Sequence, residues 1–360
     1  MTISDITHYR LTSQRLANNT FTTAEEVVSW LCAVQSQDFP GAKWGVAQRM
    51  KSATNASLDE AFNAGKILRT HVMRPTWHFV TPEDIAWMIE LTSPQVKKVL
   101  GSYNKKLELD DALFAKTNKL ITKALQNNNY LTRQELRTIL IENGFETNVQ
   151  RLAHIVSWAE LDGLICSGPI KEKQFTYALI DERAPKGKKL SREEAIGTLA
   201  MRYLISHGPA QVKDFSWWSG LKMNDARNGF AMNASQLQKE TIDGKEYWFS
   251  TKSQAARIIS PKIDLLPNYD EYGIAYADRS ALEDTEHHFV LDARGNPFFM
   301  HLVMLDGRLV GSWKRTIKKN EVIIETKFIP LNKSEKEAFE KEVTNYGKFL
   351  DLPVTIKWIA

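Results

Sequence analysis

Residues 131–167 of the chain, LTRQELRTILIENGFETNVQRLAHIVSWAELDGLICS, carry the densest run of structural signals in the sequence. Thr132 is followed three residues later by Glu135. This spacing is typical of a capping box, in which each side chain binds the backbone N–H of the other residue. The box predicts a helix over Arg133–Asn143. Gly144 predicts its end, because glycine readily adopts the left-handed conformation that closes a helix.

A second helix and a hairpin follow directly. The spacing of apolar residues predicts a helix over 148–162, and strands at 164–167 and 175–180 form a hairpin after it. Two helices followed by a hairpin are the winged-helix pattern, in which the second helix is the candidate reader of a DNA major groove. The polar residues on its outer side are Asn148, Gln150, Arg151 and His154, and of these Asn148 and Arg151 are candidate DNA contacts.

Two other parts of the chain repeat this order of elements. In the first, helices are predicted at 24–35 and 58–64 and strands at 67–72 and 76–80. In the other, helices are predicted at 192–206, 211–219 and 224–231, and a hairpin at 237–250. Its Asp243-Gly244 is a two-residue turn signal. The repeated pattern predicts an α+β protein that contains three tandem winged-helix units.

The remaining segments connect these units and complete the chain. Two helices, 82–90 and 94–103, separate the first two units, and a charged linker precedes the third. After residue 260 the pattern predicts strands at 287–291, 298–305, 309–313 and 322–329, a helix at 334–349 and a strand at 354–358. We therefore expect four parts, residues 1–108, 109–185, 186–258 and 259–360, of which the last is rich in β-structure.

The tripeptide Gln35-Ser36-Gln37 lies where the first amphipathic helix runs out. The next position on its apolar face is Gln35, and a buried amide needs hydrogen-bond partners. If the chain leaves the helix there, as Pro40 favours, the side-chain period becomes two and both amides face the same way. The spacing leaves two interpretations open: a solvated helix end, or two amides that hold a water or a polar ligand.

The segment Arg74-Pro75-Thr76-Trp77-His78 combines polar and aromatic side chains at the start of a predicted strand. In a strand Thr76 and His78 share one face, and Trp77 takes the other. One interpretation makes Arg74, Thr76 and His78 the lining of a site beside the glutamines. The other makes Trp77 a core residue and His78 a buried residue with its hydrogen bonds satisfied.

A cluster of basic residues follows Trp313: it consists of Lys314, Arg315, Lys318 and Lys319. An indole beside cations suits a nucleic acid, because the ring can stack and the cations can contact phosphates. Trp313, Lys314 and Arg315 are therefore candidate DNA contacts. The alternative is a solvated basic loop.

Two other features favour structural roles. The pair Trp217-Trp218 is more typical of packing between subdomains than of stacking on a nucleic acid. Asp270, in the run LLPNYDEY, is a candidate acid or base, or part of a turn that ties domains together.

Composition restricts the class of protein further. The 360 residues are 43% hydrophobic and 25% charged, which is typical of a globular protein with two or three domains. The sequence has neither an apolar run of about 20 residues nor a signal-peptide core, and two cysteines fit a reducing cytoplasm. The net charge of +4 is compatible with nucleic-acid binding.

Several catalytic classes find no support in the sequence. It lacks metal-ligand spacing, a Walker loop, a Gly-x-Gly-x-x-Gly run and a Gly-x-Ser-x-Gly run. We therefore expect neither a metal nor a cofactor, and no support for kinase, dinucleotide or serine-hydrolase chemistry.

A set of short motifs occurs in a characteristic order along the chain. They are Val34–Trp44 (VQSQDFPGAKW), Arg74–His78 (RPTWH), Trp217–Leu221 (WWSGL), Leu265–Tyr272 (LLPNYDEY), Asp278-Arg279-Ser280, Asp306-Gly307-Arg308 and Gly311-Ser312-Trp313. Each is weak alone, but together they resemble the winged-helix DNA glycosylase family of the AlkZ and YcaQ type. The resemblance covers essentially the whole chain.

The resemblance implies a C-shaped monomer of tandem winged-helix units with a β-rich C-terminal part. It implies removal of alkylated purines from double-stranded DNA, including the unhooking of interstrand crosslinks made through N7 of guanine. Gln35 and Gln37 match the family's pair of catalytic glutamines, which flank an apolar residue. The middle residue here is Ser36, which is small but polar.

The chemistry of such a reaction suits two glutamines. An N7-alkylated guanine is already cationic, so its glycosidic bond needs mainly a positioned water and a stabilised oxocarbenium-like sugar. Amide carbonyl oxygens can accept hydrogen bonds from that water without a buried charge. Two other hypotheses belong to different classes: a DNA-binding or regulatory protein without catalysis, and a binding protein unrelated to nucleic acids on the same scaffold.

Overall fold

The structure is a computed structural model, and it describes residues 1–184, 187–256, 258–283 and 300–359. Its α-helices are α1 (Ile3–Ser13), α2 (Ala24–Leu31), α3 (Phe39–Ala47), α4 (Asn55–Asn63), α5 (Ile85–Lys106), α6 (Asp111–Leu125), α7 (Arg133–Glu142), α8 (Val149–Leu161), α9 (Ile180–Arg183), α10 (Arg192–His207), α11 (Val212–Ser219), α12 (Met223–Met232), α13 (Glu271–Ile274) and α14 (Lys333–Leu350).

The strands make the fold a mixed α+β fold. They are β1 (Val34–Gln35), β2 (Leu68–His71), β3 (Trp77–Val80), β4 (Leu131–Thr132), β5 (Ile165–Ser167), β6 (Thr176–Leu179), β7 (Leu237–Ile242), β8 (Lys245–Ser250), β9 (Ile263–Leu266), β10 (Leu302–Leu305), β11 (Arg308–Ile317), β12 (Val322–Phe328) and β13 (Val354–Trp358).

Three segments share one order of elements. The first contains α2, β1, α3, α4, β2 and β3, with the sheet order β1-β3-β2. The second contains α6, β4, α7, α8, β5 and β6, with the sheet order β4-β6-β5. The third contains α10, α11, α12, β7 and β8, and Ala210 bridges to Trp248 of β8 in place of a first strand. In each segment the last strand lies in the middle of the sheet.

The capping box predicted for the second segment is confirmed, and the third segment contains another. The Thr132 hydroxyl accepts the backbone N–H of Glu135, and the Glu135 carboxylate accepts the N–H of Thr132. Ser191 and Glu194 make the same pair of bonds at the start of α10. These bonds satisfy N–H groups that a helix start leaves without partners, so they fix where each helix begins.

The C-terminal part contains a five-stranded sheet in the order β13-β12-β11-β10-β9. Its neighbouring strands are antiparallel except β12 and β13, which are parallel and joined by α14. The strand predicted at 354–358 is confirmed. The strand predicted at 287–291 lies outside the described residues.

Buried side chains form shared and separate cores. One cluster joins the first and third segments to β9 and β10, and another joins α2, α3 and α4 to the C-terminal sheet and α14. The second segment has a core of its own, made by α6, α7, α8 and β5. No helix in the described ranges has both the length and the hydropathy required to cross a membrane.

The prediction of two helices between the first and second segments is wrong, because a single helix, α5, runs through Pro94. A proline inside a helix removes the N–H that would bind the carbonyl four residues earlier, at Glu90. Both Pro94 and Glu90 are exposed, so water can bind that carbonyl. The N-terminal bound also differs, since α5 begins at Ile85 rather than at residue 82.

Candidate functional site

The tripeptide Gln35-Ser36-Gln37 lies between β1 and α3. The helix predicted to continue to Gln35 ends four residues earlier, at Leu31, because Cys32 leaves the helical conformation with a positive φ of 68°. The chain then enters β1, where Gln35 lies opposite His78 of β3. The backbone N–H of Ser36 donates to the Trp77 carbonyl over 2.7 Å, so extended pairing continues past the strand.

Gln35 is anchored by two hydrogen bonds to distant residues. Its backbone N–H donates to Oε1 of Glu271 over 2.8 Å. Its side-chain Oε1 accepts from Nη2 of Arg74 over 3.0 Å. Only 7% of Gln35 is exposed. The interpretation as a solvated helix end is therefore wrong for Gln35.

Glu271 connects Gln35 to the third segment. Its side chain is fully buried, and its Oε2 accepts the indole N–H of Trp218 over 2.8 Å. Burial raises the pKa of Glu271, but its neighbours His207 and Arg74 outweigh that effect, so its pKa is lowered from the usual value. The carboxylate is therefore ionised and places a buried negative charge behind β1.

Arg74 and His78 belong to the same network. Nη2 of Arg74 lies 3.5 Å from Nε2 of His78, and Nδ1 of His78 lies 3.0 Å from the Thr76 carbonyl oxygen. A carbonyl only accepts, so Nδ1 carries the proton and Nε2 is the acceptor that faces the guanidinium. Burial, with the charge of Arg74, lowers the pKa of His78 to about 3. His78 is therefore neutral at physiological pH.

Thr76 contributes its backbone to this network. Its hydroxyl is buried and has no hydrogen-bond partner among the described residues. Trp77 is half-buried, with the guanidinium of Arg69 4.4 Å from its ring and the ring of His71 4.5 Å away. The structure thus brings Arg74, Thr76 and His78 to Gln35, and at the same time satisfies both ring nitrogens of His78.

Gln37 differs from Gln35 in being exposed. Within the described part of the chain, no hydrogen bond engages its amide. The next residue, Asp38, caps α3 by accepting the N–H of Gly41 over 3.2 Å. Asp38 also accepts from Nη2 of Arg315 at 3.0 and 2.9 Å. The loop that carries Gln37 is therefore fixed to β11 of the C-terminal sheet.

The prediction that Trp313 forms an exposed stacking platform is wrong. The residue is 4% exposed, and its indole N–H donates to the Leu266 carbonyl over 2.8 Å. Its ring packs between His301 and Tyr346, so it belongs to a core. Along β11 side chains alternate in direction, and Lys314 is exposed.

Asn148 and Arg151 are not part of this cluster. Asn148 caps α8 by accepting the backbone N–H of Arg151 over 2.9 Å. The Arg151 guanidinium donates to the carbonyls of Glu146 and Leu107. Near the other end of α8, nine residues further along and about 14 Å away along the axis, Glu160 contacts His71 beside the site. The N-terminal end of α8 therefore lies away from the glutamines.

The hairpin of the second segment packs against the tripeptide. The ring of Phe175, which is 38% exposed, lies 4.9 Å from the ring of Phe39 at the start of α3. Ser167 accepts the backbone N–H of Arg69 over 2.8 Å, and the Arg69 side chain donates to the Ser36 carbonyl at 3.0 Å. Burial lowers the pKa of Arg69 to about 10.

Two residues that hold this geometry are not among the candidate site residues predicted from the sequence. Glu271 lies 236 residues after Gln35, and Asp38 directly follows Gln37. Each lies within a motif that carries the family resemblance, but the contact that matters is long-range. Asp270, a candidate acid or base, instead forms a buried ion pair with Arg49 at 2.8 Å. The interpretation of Asp270 as part of a turn that ties the domains together fits this contact.

Neither the three cavities described next nor any metal-binding cluster in the described part of the chain includes Gln35 or Gln37. Three cavities in the described ranges, of about 690, 420 and 290 Å³, are lined by residues other than the two glutamines. Those ranges also contain no group of three His, Cys, Asp or Glu side chains that could hold a metal ion. Cys32 and Cys166 are both buried and free.

Comparisons with known proteins agree with one another. The family model described as "DNA glycosylase AlkZ-like" matches residues 28–349. An "Interstrand DNA cross-link repair glycosylase" from Streptomyces sahachiroi is 23% identical over an alignment of 357 residues, and the match covers 92% of this chain and 93% of that protein. The solved structure of the Streptomyces sahachiroi DNA glycosylase AlkZ has a TM-score of 0.80 at 23% identity, covering 99% of this chain and all of that one. Because the family model spans most of its length, the chain belongs to the AlkZ-like DNA glycosylase family.

Proposed function

We propose that this protein is a monofunctional DNA glycosylase that hydrolyses the N-glycosidic bond of cationic N7-alkylated purines in double-stranded DNA. In this proposal Gln35 and Gln37 position the attacking water. The observation that carries it is the contrast between the two amides: Gln35 is anchored by Arg74, and Gln37, two residues along an extended chain, is exposed. By analogy with the Streptomyces sahachiroi relative, interstrand crosslinks are included among the substrates.

The electrostatics of the site favour a substrate that is already activated. His78 stays neutral, and the buried carboxylate of Glu271 accepts a backbone N–H of Gln35 rather than facing its amide. The amides cannot act as strong bases. A base that already carries a positive charge departs with little help, so positioning a water and stabilising the sugar cation suffice.

Ser36 fits this proposal although the family has an apolar residue there. The extended pairing includes Gln35 and Ser36, and side chains alternate along it, so Ser36 faces away from Gln35. Its side chain is fully buried, and its hydroxyl has no partner within the described ranges. A serine in that position leaves the water-binding side unchanged.

The rest of the chain supports DNA binding in this proposal. We propose that residues 1–108, 109–185 and 186–258 are winged-helix units, because the last strand lies in the middle of the first two sheets, and in the third segment β8 lies between β7 and the bridge at Ala210. Together with residues 259–360 they would form a C-shaped monomer. Exposed Lys314, with Asn148 on α8, would contact phosphates. An open cleft would suit a crosslinked base, which cannot be flipped fully from the duplex.

The test is base release from a duplex that contains a single 7-methylguanine. We expect abasic sites to form faster than by spontaneous depurination, and Gln35→Ala and Gln37→Ala to abolish this while duplex affinity stays within about twofold. Gln126→Ala, at the exposed C-cap of α6, is the matched control. Duplex binding without release from several N7 lesions would instead indicate a non-catalytic DNA-binding protein.

A further inference from the structure

The Gln35 amide has a defined orientation. Nη2 of Arg74 lies 3.0 Å from the terminal atom of the amide that faces it. A guanidinium only donates hydrogen bonds, so that atom has to be the oxygen. The two N–H groups of Nε2 therefore point away from Arg74, and no residue in the described ranges accepts them.

Arg74 is held in place from two sides. The acceptor Nε2 of neutral His78 lies 3.5 Å from Nη2. Burial lowers the pKa of Arg74, and the charge of Glu271 opposes that change. The guanidinium stays charged and is fixed against β1 and β3. Rotation of the Gln35 amide by half a turn would place N–H donors against N–H donors.

A water that attacks a sugar is best positioned by one hydrogen-bond donor and one hydrogen-bond acceptor. One lone pair of its oxygen attacks carbon, so the other can accept a hydrogen bond from a fixed N–H group. One of its protons needs an acceptor as the O–H bond weakens. Gln35 presents a donor, and Gln37, whose amide has no partner among the described residues, can present its carbonyl oxygen.

We propose that Gln35 is the hydrogen-bond donor and Gln37 the acceptor toward the attacking water, and that Arg74 is the positioning residue that fixes this polarity. The inference rests on the proposed glycosylase function. The water oxygen forms a bond to C1′ as the C1′–N9 bond breaks, and the bonding electron pair neutralises the departing cationic purine. The water proton passes by way of the Gln37 carbonyl to solvent, so the products are neutral purine, abasic sugar and one proton.

Two substitutions of glutamine by glutamate test the polarity directly. Gln35→Glu keeps an oxygen toward Arg74 but removes the Nε2 donor, so the single-turnover rate of 7-methylguanine release should fall at least about tenfold. Gln37→Glu keeps an acceptor, so its rate at pH 7 should fall less than the rate of Gln35→Glu. The rate of Gln37→Glu should also decline as the pH is lowered toward the pKa of the new carboxyl, roughly 4.3. Gln126→Glu, which adds the same charge at the exposed end of α6, is the control.

Arg74 is tested by a pair of substitutions. Arg74→Met removes the donor, so the rate should fall about tenfold while the duplex dissociation constant stays unchanged. Arg74→Lys keeps a donor and should recover part of the rate. If Arg74 had a purely structural role, Arg74→Met would instead change both the midpoint of thermal unfolding and the affinity for the duplex.

The possible failures are distinguishable. No release by the wild-type protein from any N7 lesion would overturn the proposed function and, with it, this inference. If the wild type is active, Gln35→Glu is fully active and Gln37→Glu is inactive, the proposed function stands but this inference is overturned. Gln35 would then be the acceptor and Gln37 the donor.

Discussion

The backbone N–H of Gln35 donates to the carboxylate of Glu271 over 2.8 Å, across a separation of 236 residues. The same carboxylate accepts the indole N–H of Trp218. One buried charge thus joins the first segment, the third segment and the C-terminal part. This contact makes the position of the tripeptide a property of the whole chain rather than of one segment.

Loss of the Glu271 carboxylate should destabilise the protein strongly. Glu271→Ala leaves two N–H donors without acceptors and removes a charge that balances Arg74, so we expect a loss of about 3–5 kcal/mol in the free energy of unfolding. Glu271→Gln keeps one oxygen but turns an N–H group toward a donor, and should lose about 1–3 kcal/mol. Chemical denaturation measures both.

The control for these variants is Glu246→Ala. Glu246 is exposed and pairs with Lys239 on the surface of the third segment. An exposed pair of this kind contributes at most about 1 kcal/mol. Equal losses for the Glu271 and Glu246 variants would contradict a central role for the buried carboxylate.

Stability should fall in mild acid. Burial lowers the pKa of His78 to about 3 and also lowers the pKa of His207. Each folded-state pKa lies below the unfolded value of about 6.5, so the unfolded chain takes up more protons. The stability that these neutral side chains contribute is present above pH 6.5. For His78 it is lost as the pH falls from 6.5 toward 3, by up to about 1.4 kcal/mol per pH unit.

The measurement is the denaturant midpoint at pH 7, 6 and 5. His78→Gln should reduce the slope of stability against pH, whatever its effect at pH 7. His8→Gln, which removes a partly exposed imidazole from α1, serves as the control. An unchanged slope in His78→Gln would mean that His78 has the same pKa in the folded and the unfolded protein, which would contradict the lowered pKa.

The ion pair between Asp38 and Arg315 should matter for the placement of Gln37. Asp38→Ala removes the cap of α3 and both bonds to Arg315. A lost cap typically costs about 1 kcal/mol, and the coupling between Asp38→Ala and Arg315→Met should be about 0.5–1 kcal/mol. On the proposed function, release of 7-methylguanine should fall as the loop loses its fixed position.

Thr54→Ala is a matched control for Asp38→Ala. The Thr54 hydroxyl caps α4 by accepting the N–H of Ser57, and this cap does not involve the C-terminal sheet. Thr54→Ala should lower stability by a similar amount, about 1 kcal/mol, without lowering the rate of base release. A similar loss of rate in both variants would indicate that stability alone, rather than the placement of Gln37, controls the rate.

Local rules predict much of this fold. The capping boxes at Thr132 and Ser191 mark helix starts because the bonds involved span only three residues. The turn at Asp243-Gly244 and the hairpin over 237–250 are likewise local, and both are confirmed. The tripeptide is visible in the sequence because a polar pair interrupts an apolar helical face.

Long-range contacts are what the sequence does not reveal. Periodicity alone predicts that the helix continues past Leu31 to Gln35, and only the positive φ of Cys32 in the structure shows that it ends at Leu31. Trp313 directly precedes a basic run that suits a surface, yet its indole N–H donates to a carbonyl of β9 and the residue is buried. Glu271 and Asp38 acquire their roles only when the first segment meets the C-terminal part.

Ser36→Ala should leave both stability and activity nearly unchanged. The hydroxyl is buried without a partner among the described residues, so its removal leaves no group unsatisfied. We expect a change within about 1 kcal/mol in the free energy of unfolding and a normal rate of base release. A loss of activity comparable to that of Gln37→Ala would show that Ser36 takes part in binding the water.

Gly220 should be required for the position of the segment that carries Arg74. It has φ 70°, and a Cβ atom there would lie 2.1 Å from the carbonyl oxygen of Met73, which directly precedes Arg74. Gly144 has a similar φ of 82° but open space around it. Gly144→Ala should therefore cost only the left-handed strain, about 1–2 kcal/mol. Gly220→Ala adds a clash with backbone, so it should cost more and slow base release, as measured by denaturation and single-turnover kinetics. Equal costs for the two variants would mean that the Met73 segment yields freely, and Arg74 would then not be rigidly placed.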